Sequence, residues 1–328
     1  MSIQTELARL TNAKATIQTA IERKGVTVPD GTLLDGMAVL IESIEAGGGG
    51  GGATEPYIEE VFDDNGNLIN ATLYGHTIIR DYAFKDCSML ALMSLPSGLT
   101  RIGNYAFNNC SMLTLTNLPS GITSIENYAF DNCSKLALTT LPSRLTSIGH
   151  GAFINCSKLA LTSLPSGLTS IGNQAFYKCS GLTLTSLPSG ITSIEYGTFM
   201  NCSKLALTSL PSGITSIGGY AFRGCSMLAL RSLPSGLTSI GESAFYNCSN
   251  LALTSLPSGL TSIGDSAFYR CLGLASLTFK GKPKSIPSSA FSGCTNLTTI
   301  NVPWARGAVA NAPWGAKNAI INYNYTGA

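Results

Sequence analysis

Ten cysteines stand in this chain, each 23 residues from the next: Cys87, Cys110, Cys133, Cys156, Cys179, Cys202, Cys225, Cys248, Cys271 and Cys294. A phenylalanine keeps the same step three positions earlier, from Phe84 to Phe291. A short period shared by a thiol and a large ring constrains the chain to a solenoid, with one coil per period. No such coil buries its apolar side alone, so stacking is obligatory.

The unit from Ala244 to Ser266 reads A-F-Y-N-C-S-N-L-A-L-T-S-L-P-S-G-L-T-S-I-G-D-S. Its inward candidates are Ala244, Phe245, Cys248, Leu251, Leu253, Leu256, Leu260 and Ile263. At about 1.5–3 kcal/mol for each large side chain buried, they offset much of the ordering entropy of a coil. The spacing of Ala244, Phe245 and Cys248 predicts one helical turn with Tyr246 and Asn247 outward. Pro257-Ser258-Gly259 predicts a turn between short strands at 251–256 and 260–263. Stacked coils then place like strands in parallel, about 4.8 Å apart.

The pattern I-G-x-x-A-F-x-x-C-S-x-L followed by L-P-S-G-[IL]-T-S-I resembles the BspA-like leucine-rich repeat family over about residues 79–300. The resemblance implies about ten coils of short parallel strands plus a helical turn. Most units read L-x-L-x-x-L, whereas the family more often shows L-x-x-[LIV]-x-[LIV], which the last coils keep at Leu297, Ile300 and Val302. The direction of Leu253 and its equivalents is thus left open.

The ends depart from the repeat. Ile3, Leu7, Leu10, Ile17 and Ile21 form a heptad stripe, and Thr32 with Asp35 marks a capping box for a second helix. Residues 1–46 therefore read as a helical hairpin that either closes on itself, trimerises or docks on a partner. Gly47 to Gly52 begin a flexible linker, 47–56. Residues 57–78 read as a capping hairpin around Asn65-Gly66, and 301–328 as a C-terminal cap carrying Trp304 and Trp314. The Asp63–Asn67 cluster lacks the spacing and terminal Glu of a calcium loop and reads as a plain turn.

Charged residues are only 12% of the chain and the net charge is +2, which offers no overall basic field for nucleic acid. No apolar run reaches a membrane-spanning length, and Met1 to Leu10 has no secretory pattern. Parallel in-register thiols do not readily reach the disulfide dihedral, and there is no C-x-x-C for a metal. The cysteines therefore read as a reduced structural ladder. No cofactor is implied. Nor is catalysis: the histidines are His76 and His150, both read as exposed loop residues, and no Cys-His or Ser-His arrangement recurs. The best enzymatic candidate is the pair Glu242 and Asp265, one period apart.

Diversity between coils concentrates at the two positions before the Ala and the two after the Phe. Tyrosines gather there: Tyr105, Tyr128, Tyr177, Tyr196, Tyr220, Tyr246 and Tyr269, joined by Arg223. Such a ridge carries aromatic planes and adaptable hydrogen bonds suited to a protein or glycan surface. The L-P-S-G-[IL]-T-S-I face is monotonous by comparison.

Finally, Lys14 to Ile44 and Asn311 to Tyr323 resemble modules of tail-fibre and other virion-associated proteins of phages of Gram-positive bacteria. That resemblance implies a virion tail component assembled in the host cytoplasm. It also implies a host-surface glycan or protein as receptor and other tail proteins as partners of residues 1–46. The alternatives are a bacterial surface adhesin or interaction protein, and a glycan-cleaving tail enzyme.

Overall fold

The computed structural model describes residues 57–327. The expected helical hairpin, 1–46, and linker, 47–56, lie outside the described residues.

The chain enters as an antiparallel hairpin of β1 (Tyr57–Phe62) and β2 (Leu68–Tyr74). Its turn is built by Asp63, whose Oδ1 accepts from the amides of Asn65 (3.0 Å) and Asn67 (2.8 Å), while Gly66 takes φ 78°. Ala71 and Leu73 of β2 are buried against the first coil.

From there the chain is a stack of coils, most of them adding one two-residue strand to a parallel sheet. The strands β3 (Ile78–Ile79), β4 (Arg101–Ile102), β5 (Ser124–Ile125), β6 (Ser147–Ile148) and β7 (Ser170–Ile171) form one sheet. A second holds β8 (Ser193–Ile194), β9 (Ser216–Ile217), β10 (Ser239–Ile240) and β12 (Ser262–Ile263). On the other side of the last coils, β11 (Ser255–Leu256), β13 (Ser276–Phe279), β14 (Thr299–Asn301) and β15 (Ile320–Asn322) make a third. That sheet widens where the sequence turns to L-x-x-[LIV]-x-[LIV], because alternation then places Leu277 and Phe279 inward from one strand. In the L-x-L-x-x-L coils before β11 the same side is not a regular strand, yet Leu253 is only 1% exposed and its equivalents are as fully buried. The open question about Leu253 is settled inward.

The expected helical turn is a different object. Over Gly241–Cys248 three β-turns overlap, with the amides of Ala244, Tyr246 and Cys248 bonded to the carbonyls of Gly241, Ser243 and Phe245. The intervening amides of Ser243, Phe245 and Asn247 donate instead to Asp265, Ala267 and Tyr269 of the next coil, each at 2.8 Å. A helix spends its amides on its own carbonyls. A stacked coil must send alternate ones to its neighbour, so Ser243 (φ 50°) and Asn247 (φ 59°) turn left-handed. Asn109, Asn132, Asn155, Asn201 and Asn247 before the cysteines were the legible signal, since Asn tolerates this region best among residues with a side chain.

Inside the coils the phenylalanines form one column from Phe84 to Phe291, with centroids 5.2–5.6 Å apart and planes within 1–9° of parallel. The cysteines run beside it as free thiols, all buried except the half-buried Cys87. From Cys110 onward each thiol donates to the carbonyl of the Phe 26 residues back, as Cys110 to Phe84 at 3.0 Å and Cys202 to Phe176 at 2.9 Å. Burial pushes these thiols up, to about 11 even at Cys294 near the end. Trp314 closes the column: its carbonyl takes the amide of Phe291 (2.9 Å), and its ring lies with Trp304 against Phe279. Among the described residues no helix is long and apolar enough to cross a membrane.

Two outcomes test this core. A thiol reagent added to native protein should label Cys87 alone, and all ten cysteines after denaturation without reductant; a denatured count below ten would reveal disulfides. Phe176→Ala should cost about 3–5 kcal/mol, read as a lowered urea midpoint, whereas Thr169→Ala on the strand face should stay within about 0.5 kcal/mol.

Candidate recognition surface

The turn ribbon presents two files of side chains, one just before the Ala and one just after the Phe. In the first file Tyr82, Tyr105 and Tyr128 stack nearly parallel, at 5.2 and 4.8 Å, and His150 closes the run edge-on to Tyr128 at 4.9 Å. These tyrosines sit at φ 54–62°, a conformation that costs a bulky residue about 1–2 kcal/mol. Gly151 follows at the same position, and its missing Cβ makes room for the Tyr128 ring, which a Cβ would meet at 2.6 Å.

A second run begins later and changes file. Tyr196 tilts against Tyr220 at 5.4 Å, and Arg223 lies over Tyr220 (5.5 Å) and Tyr246 (4.6 Å). Tyr246 stacks on Tyr269 at 4.6 Å, and Arg270 covers the end at 5.6 Å. The guanidinium thus bridges the two files by cation–π contact. Tyr177 stands apart, its ring covered by Lys178 at 5.1 Å.

The ridge therefore differs from its sequence reading in one respect that matters. In the stacked runs Tyr82–Tyr105–Tyr128 and Tyr246–Tyr269 neighbours occupy ring faces, so a ligand there meets mainly ring edges and hydroxyls, whereas the tilted Tyr196 remains 48% exposed. The reason is the stacking itself: like residues one period apart are held at van der Waals distance. Candidates that the ridge unites are Tyr105 with Tyr128, and Tyr196, Tyr220, Arg223, Tyr246 and Tyr269.

Glu242 and Asp265 each have a hydroxyl partner in the ribbon. Both are exposed, and Glu242 accepts from the Tyr220 hydroxyl at 2.6 Å while Asp265 accepts from Ser289 at 3.3 Å. The bond to Glu242 holds the Tyr220 proton, raising that phenol above its ordinary value. His76 and His150 are half-buried and not exposed, His150 because its ring packs on Tyr128. Among the described residues no group of three or more His, Cys, Asp or Glu could hold a metal ion.

One polar feature escaped the sequence reading. Side-chain amides pass hydrogen bonds up the stack from Asp86 through Asn109 (2.6 Å) and Asn132 (2.9 Å) to Asn155 (2.7 Å). The recurrence of Asn before Cys could have revealed it.

The repeat is matched by the family model for the BspA-type leucine rich repeat region over residues 58–183, 125–234 and 228–306. The chain belongs to that family. A leucine-rich repeat protein from Bacteroides ovatus is similar in structure, with TM-score 0.59 and 24% identity, over 81% of this chain and 74% of that one. A leucine rich cell surface protein from Faecalibacterium prausnitzii aligns over 84% of this chain and 99% of its own, at 24% identity and TM-score 0.44. At such identities the likeness to the Bacteroides protein speaks of fold alone. No curated protein sequence matches the chain.

In this leucine-rich repeat ribbon Asp131 is a partly buried charge with an incomplete set of partners. Asn108 reaches its Oδ2 at 3.0 Å, while Oδ1 is buried with no partner. Burial, opposed by the bond from Asn108, pushes the carboxyl from 3.8 up to about 6. A raised folded value means the folded state binds the proton more tightly. The associated stability is complete below pH 3.8 and is lost as pH rises through about 6. Asp131→Asn should therefore raise the melting temperature at pH 7 and leave it unchanged at acidic pH. After discounting for solvent at this half-exposed group, the gain is about 1 kcal/mol. Equal effects at both pH values would contradict the assignment.

Proposed function

We propose that this leucine-rich repeat protein is a non-enzymatic recognition component of a phage tail, binding a host-surface glycan or protein along its turn ribbon. The observation that carries the reading is the aromatic run from Tyr196 to Arg270, in which side chains from successive coils pack into one ridge. Tyr82, Tyr105, Tyr128 and Tyr220 hold a left-handed backbone that Gly151 and Gly197 adopt without strain at the same position. Keeping a bulky ring there has a conformational cost, which argues against drift. The strand face offers little contrast: the hydroxyls of Thr100, Thr123, Thr146, Thr169, Thr215, Thr238 and Thr261 turn back to the preceding coil's carbonyl, as Thr238 to Thr215 at 3.0 Å. Support for the tail context comes from the resemblance of residues 14–44 and 311–323 to virion modules. In this reading residues 1–46 dock on other tail proteins or trimerise.

The ridge is long and narrow, which suits a polymer or a protein surface better than a small molecule. Replacing Tyr196, Tyr220, Tyr246 and Tyr269 together by Ser should cut adsorption of labelled protein to Gram-positive cells by about tenfold or more, the scale of losing one or two hot-spot contacts. Lost stacking will lower the melting temperature, so adsorption is measured well below it. The reading fails if that variant adsorbs like the parent while Thr169, Thr192, Thr215 and Thr238 changed to Ala abolish adsorption.

A further inference from the structure

The last coils break the repeat at its turn corner. Where other coils carry Pro-Ser-Gly, and once Pro142-Ser143-Arg144, this one carries Lys280-Gly281-Lys282-Pro283-Lys284. The three lysines are exposed, whereas Gly281 is half-buried and Pro283 buried, so the segment alternates cation outward and backbone inward. Its backbone is pinned to the coil below. The amides of Lys280 and Lys284 donate to Leu256 and Thr261, both at 3.0 Å, and a Cβ on Gly281 would lie 2.1 Å from the Ser258 carbonyl oxygen. Arg306 is exposed at the matching corner of the next coil, two residues after Trp304, whose ring meets Phe279 at 5.4 Å.

No acid offsets these charges. From Ser266 to Ala328 the sequence contains Arg270, Lys280, Lys282, Lys284, Arg306 and Lys317 and no Asp or Glu. The ion pairs among the described residues join Lys85 to Asp86, and Arg101 to Asp81 and Glu126, at the other end of the stack. A chain with net charge +2 thus concentrates a positive field on a rigid corner at its C-terminal end.

We propose that the corner formed by Lys280, Lys282, Lys284 and Arg306 binds a linear polyanion of the cell envelope, a glycan or polyol chain with repeating phosphate or carboxylate groups. Repeating anions match cations displayed in a row, and each contact releases counterions, so binding falls steeply with salt. Single-stranded nucleic acid is less suited, since the corner has no exposed aromatic among its cations on which bases could stack. The site lies on a different part of the coil from the tyrosine ridge and uses no residue of it.

Purified components test this without cells, so the result is independent of the adsorption reading. Fluorescence anisotropy follows the full chain binding labelled inorganic polyphosphate and labelled polygalacturonate between about 50 and 200 mM salt. The parent should bind at least one of them, and the preferred polymer tells phosphate from carboxylate. Lys280→Ser, Lys282→Ser and Lys284→Ser combined should weaken binding about tenfold at the lower salt and reduce the log–log salt slope by about two. The same three changed to Arg should retain it, and both variants should melt with the parent because all three side chains are exposed. Binding of neither polymer, unchanged binding by the triple Ser variant, or tenfold tighter binding of a single-stranded DNA of equal charge would each overturn the proposal.

Discussion

Each phenylalanine carbonyl from Phe84 to Phe268 accepts twice, from the amide of its own coil's cysteine and from the thiol of the next. Phe84 takes Cys87 at 3.2 Å and Cys110 at 3.0 Å. That double acceptance locks the register of neighbouring coils on the side where no regular strand exists. The ring column, the short strands and the amide ladder through Asn109, Asn132 and Asn155 all require the same register. A slip by one residue would break every one of them together, which is why the repeat tolerates so little change at Ala, Phe and Cys.

The opposite side is less continuous. β7 and β8 fall in different sheets, yet Phe176 and Phe199 remain stacked at 5.6 Å and the ribbon bonds from Gln174, Phe176 and Lys178 persist. Buried rings and ribbon hydrogen bonds therefore carry the stack across a place where strand pairing lapses. Exposed strand hydrogen bonds contribute little net stability, while a buried ring column removes large apolar area from water. The same rigidity holds side chains of the ribbon at fixed spacing, and makes a file of tyrosines or a row of lysines a structured surface.

Function divides between what repeats and what departs from the repeat. Residues that recur, such as Thr215 and Thr238, satisfy one another. Departures such as Tyr220, Arg223 and Tyr246, or Lys280, Lys282 and Lys284, are where the surface acquires distinct chemistry. Asp131 illustrates the limit: set between Asn108 and Ile154 in the ribbon, its carboxylate finds one partner and leaves an oxygen buried.

Period, inward set, parallel strands and the BspA-type repeat were legible in the sequence, because burial repeats with the residues themselves: Phe, Cys and Leu at fixed offsets have one common inside. The Asn65-Gly66 hairpin was legible for a similar local reason, the backbone freedom of the turn residues. The left-handed ribbon in place of a helical turn was not, since the choice rests on where alternate amides find acceptors, and those acceptors belong to the next coil. Nor could sequence tell that Tyr105 and Tyr128 hide their faces against each other, or that Tyr177 stands alone while Arg223 joins two files. Side chains one period apart are neighbours only after stacking, and tertiary contact alone decides which ring face remains free.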